Sequence, residues 1–172
     1  MQTNMTDFQL FDLVETTLSS LQREESVIYT WNANLYTIIN RLAIRLERQA
    51  PGFFCDMKPS ILSPVPDLAL HDRCGDALMS IFVRKTYMSE KEQEMLLAAR
   101  RAGKSRLVLG LSFIPDKSYI LIYYPQAIRM EYLHYSKETK ALFPLKTQDA
   151  KDLSKVLESQ GLKALRISKK SK

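Results

Sequence analysis

Cysteine and histidine are scarce in this chain of 172 residues, which contains two of each. Cys55, Cys74, His71 and His134 form no Cys-x-x-Cys pair and no Cys/His cluster. A zinc site built from these residue types is therefore not expected. Two isolated cysteines favour a reduced, cytoplasmic protein over one that is held together by a disulfide.

Long apolar runs and linker-like segments are missing as well. No stretch approaches the roughly 20 apolar residues of a membrane helix, and the N-terminus has neither the basic cluster nor the apolar block of a signal peptide. We therefore expect no membrane association. Five glycines and seven prolines leave little room for low-complexity linkers. The length predicts a single domain at 1–165 with a core at about 26–135, followed by a flexible basic tail at 166–172.

Several catalytic signatures are missing from the chain. No serine stands in a Gly-x-Ser-x-Gly elbow, and neither a phosphate loop of the Gly-x-x-x-x-Gly-Lys type nor a Gly-x-Gly-x-x-Gly dinucleotide motif occurs. The segment AGKSR at 102–106 follows a predicted helix instead of a strand, so we interpret it as a helix end and turn. These absences disfavour serine hydrolases and the common nucleotide-binding enzymes.

Positive charge is in excess. The chain has 25 lysines and arginines against 19 acidic residues, which gives a net charge of +6, and its pI is about 9.3. A basic balance favours acidic partners, with nucleic acid first. The alternative is a basic surface that only aids solubility, and much of the excess lies in the tail RISKKSK.

The hydrophobic periodicity predicts an α/β domain. The predicted elements, in chain order, are helices at 5–23 and 26–49, strands at 53–62, 66–72 and 77–87, a helix at 89–104, strands at 105–114, 119–125 and 128–136, and a helix at 147–163. The first three strands form a meander, and the third, which is apolar on both faces until Arg84, is expected at the centre of the sheet. The helix at 89–104, which is capped by a box of Ser89 and Glu92 and ended by Gly103, crosses over to a strand parallel to the third. Ser26 is the predicted cap of the second helix. Arg41, Arg45 and Arg48 share one face of that helix, which we expect to be solvated, with phosphate binding as the alternative.

The segments PVPDLAL and DALMSIFVRKTY, the helix after them and the strand SRLVLGLSF resemble the PD-(D/E)xK nuclease superfamily over roughly 26–124. The resemblance implies a restriction-endonuclease-like core: a helix, a three-stranded meander, a crossover helix and further strands, here with flanking N- and C-terminal helices. In that family the second strand carries a metal-binding Asp, and the third carries an acid-x-Lys tripeptide. Two carboxylates hold Mg²⁺ or Mn²⁺, and the metal stabilises charge on the scissile phosphate.

Asp67 matches the metal-binding Asp of this pattern, but the third strand departs from it. One alignment gives Phe-Val-Arg at 82–84 and the next gives Val-Arg-Lys at 83–85, so neither supplies the acid. Acids on neighbouring elements are Asp56, Glu90, Glu92 and Glu94, although Glu90 and Glu92 already have a structural explanation at a helix N-terminus. A migrated acid would leave Asp67, Lys85 and Glu90 as catalytic candidates, with Asp67 as the metal ligand.

The departure from the family pattern predicts a catalytically inactive, nuclease-like binding module for nucleic acid or for a nucleic-acid-handling protein. The predicted nucleic-acid-binding residues are Arg84, Lys85, Arg100, Arg101, Lys104 and Arg106. This hypothesis requires no cofactor, whereas Mg²⁺ or Mn²⁺ belongs to the alternative of an active nuclease. A second alternative is a protein-interaction or inhibitor domain without a nucleic-acid role. A homodimer is compatible with each.

Overall fold

The structure is a computed structural model that describes residues 5–26, 33–145 and 155. In this part of the chain there are three helices, namely α1 (Asp7–Glu24), α2 (Leu35–Gln49) and α3 (Glu90–Ala102). The seven strands are β1 (Phe54–Met57), β2 (Leu68–His71), β3 (Ala77–Arg84), β4 (Ser105–Ser112), β5 (Tyr119–Pro125), β6 (Met130–Ser136) and β7 (Ala141–Pro144). No helix among these residues is both long and apolar enough to cross a membrane. The helix predicted at 147–163, apart from Lys155, and the basic tail lie outside the described residues.

All seven strands form one mixed sheet, in which they follow their order along the chain. Neighbouring strands are antiparallel except β3 and β4, which are parallel and are joined by the crossover helix α3. The predicted meander, crossover helix and parallel fourth strand are therefore confirmed. The four-residue edge strand β7 has no counterpart among the predicted elements, because such a short segment shows little alternation. It ends in Pro144, and Pro is tolerated at a sheet edge.

Helices cover both faces of the sheet. A large apolar cluster joins α1 and α2 to one face, and a smaller cluster lies beneath α3 on the other. Leu68 and Leu70 of β2 belong to the large cluster, whereas Ala69 lies on the opposite face, as the alternation predicts. The third strand is buried on both faces, as expected for a central strand. Its Phe82 and Val83 belong to different clusters, so successive side chains point to opposite helix layers.

The predicted start of the second helix at Ser26 is wrong. Asn34 has an extended backbone, with φ −66° and ψ 155°, and α2 begins at the next residue. The Asn34 side-chain oxygen accepts a hydrogen bond from the Thr37 N–H at 2.8 Å, which is the usual behaviour of an Asn at a helix N-cap. The range predicted for this helix, 26–49, includes Asn34, which in the structure precedes the helix. Residues 27–32 lie outside the described part of the chain.

The arginine face of α2 is not simply solvated, which corrects the prediction for Arg45. That residue is only 3% exposed, and its guanidinium contacts Glu24 at 3.0 Å and Glu25 at 2.6 Å. Arg41 also contacts Glu25, at 3.2 Å. These ion pairs join the end of α1 to the middle of α2, so two of the three arginines are held by acids of the same chain and not presented to phosphates.

Candidate functional site

The register of β2 and β3 decides between the two alignments of the third strand. Leu68 lies opposite Ile81, and the Asp67 N–H donates to the Ile81 carbonyl at 3.0 Å. Asp67 therefore stands beside Phe82, just before the start of β2. Because side chains alternate along a strand, Arg84 shares a face with Phe82, whereas Val83 points to the other face. The alignment that places Phe82 at the acid and Arg84 at the Lys is the one that the geometry supports.

Asp67 and Arg84 are in direct contact at this point of the sheet. The Arg84 Nη1 donates to Asp67 Oδ2 at 3.0 Å, and the same oxygen accepts the Val83 N–H at 2.8 Å. Arg84 Nη1 also donates to its neighbour, the Val83 carbonyl, at 2.7 Å. The carboxylate is therefore held by one charged and one backbone donor, and it joins the start of β2 to the end of β3.

Glu92 of α3 is the second acid of the cluster. Arg84 Nε donates to Glu92 Oε1 at 2.5 Å, and the other carboxylate oxygen, Oε2, accepts the Ser89 N–H at 2.8 Å and the Ser89 hydroxyl at 3.0 Å. Ser89 and Glu92 thus form the predicted capping box. Partial burial acts to raise the pKa of Glu92, but the hydrogen bonds from Arg84 and Ser89 outweigh it and hold the pKa below the ordinary 4.5.

Arg84, Asp67 and Glu92 together form a carboxylate–guanidinium–carboxylate cluster, with the positive charge between the two acids. Asp67, which the resemblance assigns to a divalent cation, is here bound to an arginine, whose charge is permanent. This donor set does not fit a metal ion, because one oxygen of each acid is bound to the Arg84 guanidinium, whose positive charge would repel the metal. Among residues 5–26, 33–145 and 155, no group of three or more Asp, Glu, His or Cys side chains is arranged to hold a metal.

The structure does not bring the other catalytic candidates to Asp67. Lys85 follows β3 and lines a small recess with Ala33, Ile38 and Lys137, so it lies on the α2 side of the sheet and not on the side of Asp67. Glu90 begins α3 and is half-buried, but the acid that reaches Arg84 is Glu92. Glu92 is one of several neighbouring acids that the sequence offers, and its place at a helix N-terminus already explains it; its position eight residues after Arg84 has no periodic signal that would reveal the contact.

The predicted basic residues fall into separate regions. Arg84 lies at the N-terminal end of α3, whereas Arg100, Arg101 and Lys104 lie at its other end, about 20 Å away for a helix of 13 residues. On β4, Arg106 Nε donates to the Asp7 carboxylate of α1 at 2.9 Å. Of the six predicted residues, the three at the end of α3 form the compact basic group, which we call the α3 basic end.

Tyrosines support the connection between β3 and α3. The Tyr123 hydroxyl accepts the Met88 N–H at 2.9 Å, and the hydroxyls of Tyr87 and Tyr119 are 2.6 Å apart. Burial raises the pKa of Tyr123 to about 12. Tyr123 is fully buried, so its ring belongs to the core and cannot stack on a base. Tyr119 and Tyr123 therefore support the segment that leads into α3, and with it the position of Glu92.

Comparisons with known proteins supply no independent assignment of this site. Searches with family models, among curated proteins and among solved structures found no match to the chain. The functional interpretation therefore depends on the order of the elements, the register of Asp67 against β3 and the charges around Arg84.

Proposed function

We propose that the chain is a nuclease-like domain that acts as a binding module for nucleic acid, or for a protein that handles nucleic acid, and not as a metal-dependent nuclease. The order helix, meander, crossover helix and parallel strand supports a restriction-endonuclease-like core, and so does the position of Asp67 at the start of β2. The proposal includes a cytoplasmic location, and it holds for a monomer or a homodimer.

The observation that carries the proposal is the position of Arg84 between Asp67 and Glu92. A nuclease of this type needs its acids to bind a divalent cation that stabilises the transferred phosphoryl charge. Here an arginine neutralises Asp67 and Glu92 without a metal. The guanidinium also stays charged at neutral pH, so Arg84 is a poor substitute for a lysine that tunes a proton on water.

Binding is assigned to the α3 basic end, whose residues are half-buried or exposed. Lysine and arginine side chains bind phosphates through charge, and such binding weakens as salt rises because counterions are released. The net charge of +6 acts in the same direction. A protein partner that handles nucleic acid is the second form of the proposal, and a pull-down identifies it if nucleic acid does not bind.

Fluorescence anisotropy with labelled duplex DNA, single-stranded DNA and RNA tests the proposal across a range of salt concentrations. We expect the affinity for at least one of the three to rise as salt is lowered. Lys104→Ala should weaken binding and reduce the salt dependence by about one phosphate contact. Lys91→Ala, at an exposed position on the first turn of α3, is the matched control. Absence of binding at low salt for all three probes would remove the nucleic-acid form of the proposal.

An active nuclease is the second candidate, because Glu92 and Asp67 both contact the Arg84 guanidinium and therefore lie near each other. Displacement of Arg84 would bring two carboxylates together, which is the minimum that the nuclease class needs. Incubation of plasmid DNA with Mg²⁺ or Mn²⁺ separates the two functions. Cleavage that disappears in Asp67→Ala would replace the binding proposal by this one, whereas intact plasmid in both metals favours the binding module.

A further inference from the structure

In the part of the chain that the structure describes, β1 and β7 are the outer strands of the sheet, so each has one edge without a neighbouring strand. An open edge presents backbone groups that can pair with a strand of another molecule. The Leu145 N–H donates to the Tyr132 carbonyl at 3.0 Å, and Leu133 lies opposite Pro144. Because pairing alternates along antiparallel strands, the backbone groups of Leu142 and Pro144 point away from β6.

Both outward positions of β7 lack an available backbone donor. The Leu142 N–H donates to Glu15 Oε2 of α1 at 2.7 Å, and Pro144 has no N–H. The helix α1 packs against β7, and the half-buried Leu142 side chain packs against the large apolar cluster. The helix that covers this face of the sheet therefore also supplies the acid that occupies its edge.

The other edge of the sheet has a similar arrangement. The Lys58 N–H donates to the Asp67 carbonyl at 3.0 Å, so the outward groups of β1 belong to Cys55 and Met57. The Cys55 N–H donates to Glu47 Oε1 of α2 at 2.8 Å. After Met57 the backbone leaves the strand direction, since Lys58 has a left-handed φ of 49°. A glutamate from a covering helix thus occupies an outward donor at each edge of the sheet.

The side chains of β7 favour association once the edge is open. Phe143 is 40% exposed and stacks on His134, with the ring centroids 5.6 Å apart. An edge strand with an exposed aromatic side chain is a template for pairing with an identical strand. A further strand needs the Leu142 N–H, so it must displace the Glu15 carboxylate, whose hydrogen bond is of the stronger, charge-assisted kind.

We propose that Glu15 keeps β7 closed to strand addition, and that two copies of the chain join their sheets through β7 when this acid is removed. In an antiparallel pair centred on Leu142, each copy donates its Leu142 N–H to the Leu142 carbonyl of the other copy. The Glu15 carboxylate occupies that donor, so the closed edge and the paired edge exclude each other. The inference concerns association of the chain and is independent of nucleic-acid binding.

Sedimentation equilibrium of the full chain tests the inference over a protein concentration of about 10–300 μM. We expect the wild type to keep a single mass and Glu15→Ala to reach twice that mass. Loss of one charge-assisted hydrogen bond in each copy corresponds to a dissociation constant at least about tenfold lower. Glu15→Gln keeps an oxygen that accepts the Leu142 N–H, so it should behave as the wild type. Asp12→Ala removes an exposed acid of the same helix and is the matched control for charge.

Phe143→Lys in the Glu15→Ala background shows whether association runs through β7. A lysine on an edge strand opposes pairing, so this double variant should return to the wild-type mass. An unchanged mass of Glu15→Ala would overturn the inference, and so would association of the double variant, of Glu15→Gln or of Asp12→Ala. A wild type that associates as strongly as Glu15→Ala would overturn it too. Alanine is the best helix former, so α1 stays helical in Glu15→Ala, and circular dichroism checks the fold of each variant.

Discussion

Arg84→Met is the sharpest test of the acid–arginine cluster. The replacement keeps an unbranched side chain of similar length but removes the charge that lies between Asp67 and Glu92. Asp67 keeps its hydrogen bond from the Val83 N–H, and Glu92 keeps those from Ser89. Each acid nevertheless loses its cation and stays in a partly buried position, where an uncompensated charge is unfavourable.

The magnitude follows from the burial of the three side chains. Removal of one partner from a fully buried ion pair costs about 3–5 kcal/mol. Here the side chains of Arg84, Asp67 and Glu92 are 25%, 12% and 29% exposed. Solvent therefore screens part of the loss, and we expect the free energy of unfolding to fall by about 2–3 kcal/mol. Urea denaturation measures it as a lower midpoint with an unchanged slope.

A matched control and a second variant make this prediction specific. Arg129 contacts Glu131 at 2.5 Å, but both side chains are largely exposed, so Arg129→Met should change the free energy of unfolding by less than about 1 kcal/mol. Arg84→Met combined with Asp67→Asn should recover about 1 kcal/mol, because Asn is neutral and still accepts the Val83 N–H. Equal stabilities of Arg84→Met and Arg129→Met would refute the role assigned to the cluster.

Three further predictions concern pH, packing and capping. The folded-state pKa of Glu92 lies below its ordinary 4.5, so the unfolded state binds more protons at low pH. The free energy of unfolding should therefore fall as the pH drops below about 5. Urea midpoints at several pH values should show a smaller fall in Arg84→Met than in the wild type. Gly110→Ala should destabilise by about 1–3 kcal/mol, because the new Cβ would lie 2.7 Å from Leu96 Cδ1, whereas Gly75→Ala meets no atom within 4 Å and should be nearly neutral. Asn34→Ala should lower the free energy of unfolding by about 1 kcal/mol through loss of the cap, and thermal denaturation measures this as a lower midpoint.

Local signals in the sequence predicted the crossover helix and its neighbours well. Ser89 and Glu92 form the expected capping box, and Gly103 ends α3 with a left-handed φ of 67°. Both signals act within a few residues, so they can be recognised without knowledge of the fold. The apolar run of β3 predicted a central strand for the same reason, since burial on both faces leaves no polar alternation.

Contacts between distant segments were harder to predict. Arg45 is buried because α1 ends with Glu24 and Glu25 beside it, and its position on α2 alone resembles that of any solvated arginine. The pairing of Arg84 with Asp67 depends on the strand register, and its contact with Glu92 depends on how α3 packs after the turn. The prediction for the start of α2 was wrong for a different reason. The apolar periodicity continues on both sides of Asn34, so the sequence pattern does not show that the helix begins after this residue.

Electrophoresis of a labelled single strand tests the central claim most directly. The strand is incubated with the protein at low salt, with Mg²⁺ or with Mn²⁺, and each sample is run on a native and on a denaturing gel. We predict a slowed complex on the native gel and a strand of unchanged length on the denaturing gel. Shortened strands that are absent with Asp67→Ala would contradict the proposal that Asp67 binds Arg84 and takes no part in metal-dependent cleavage.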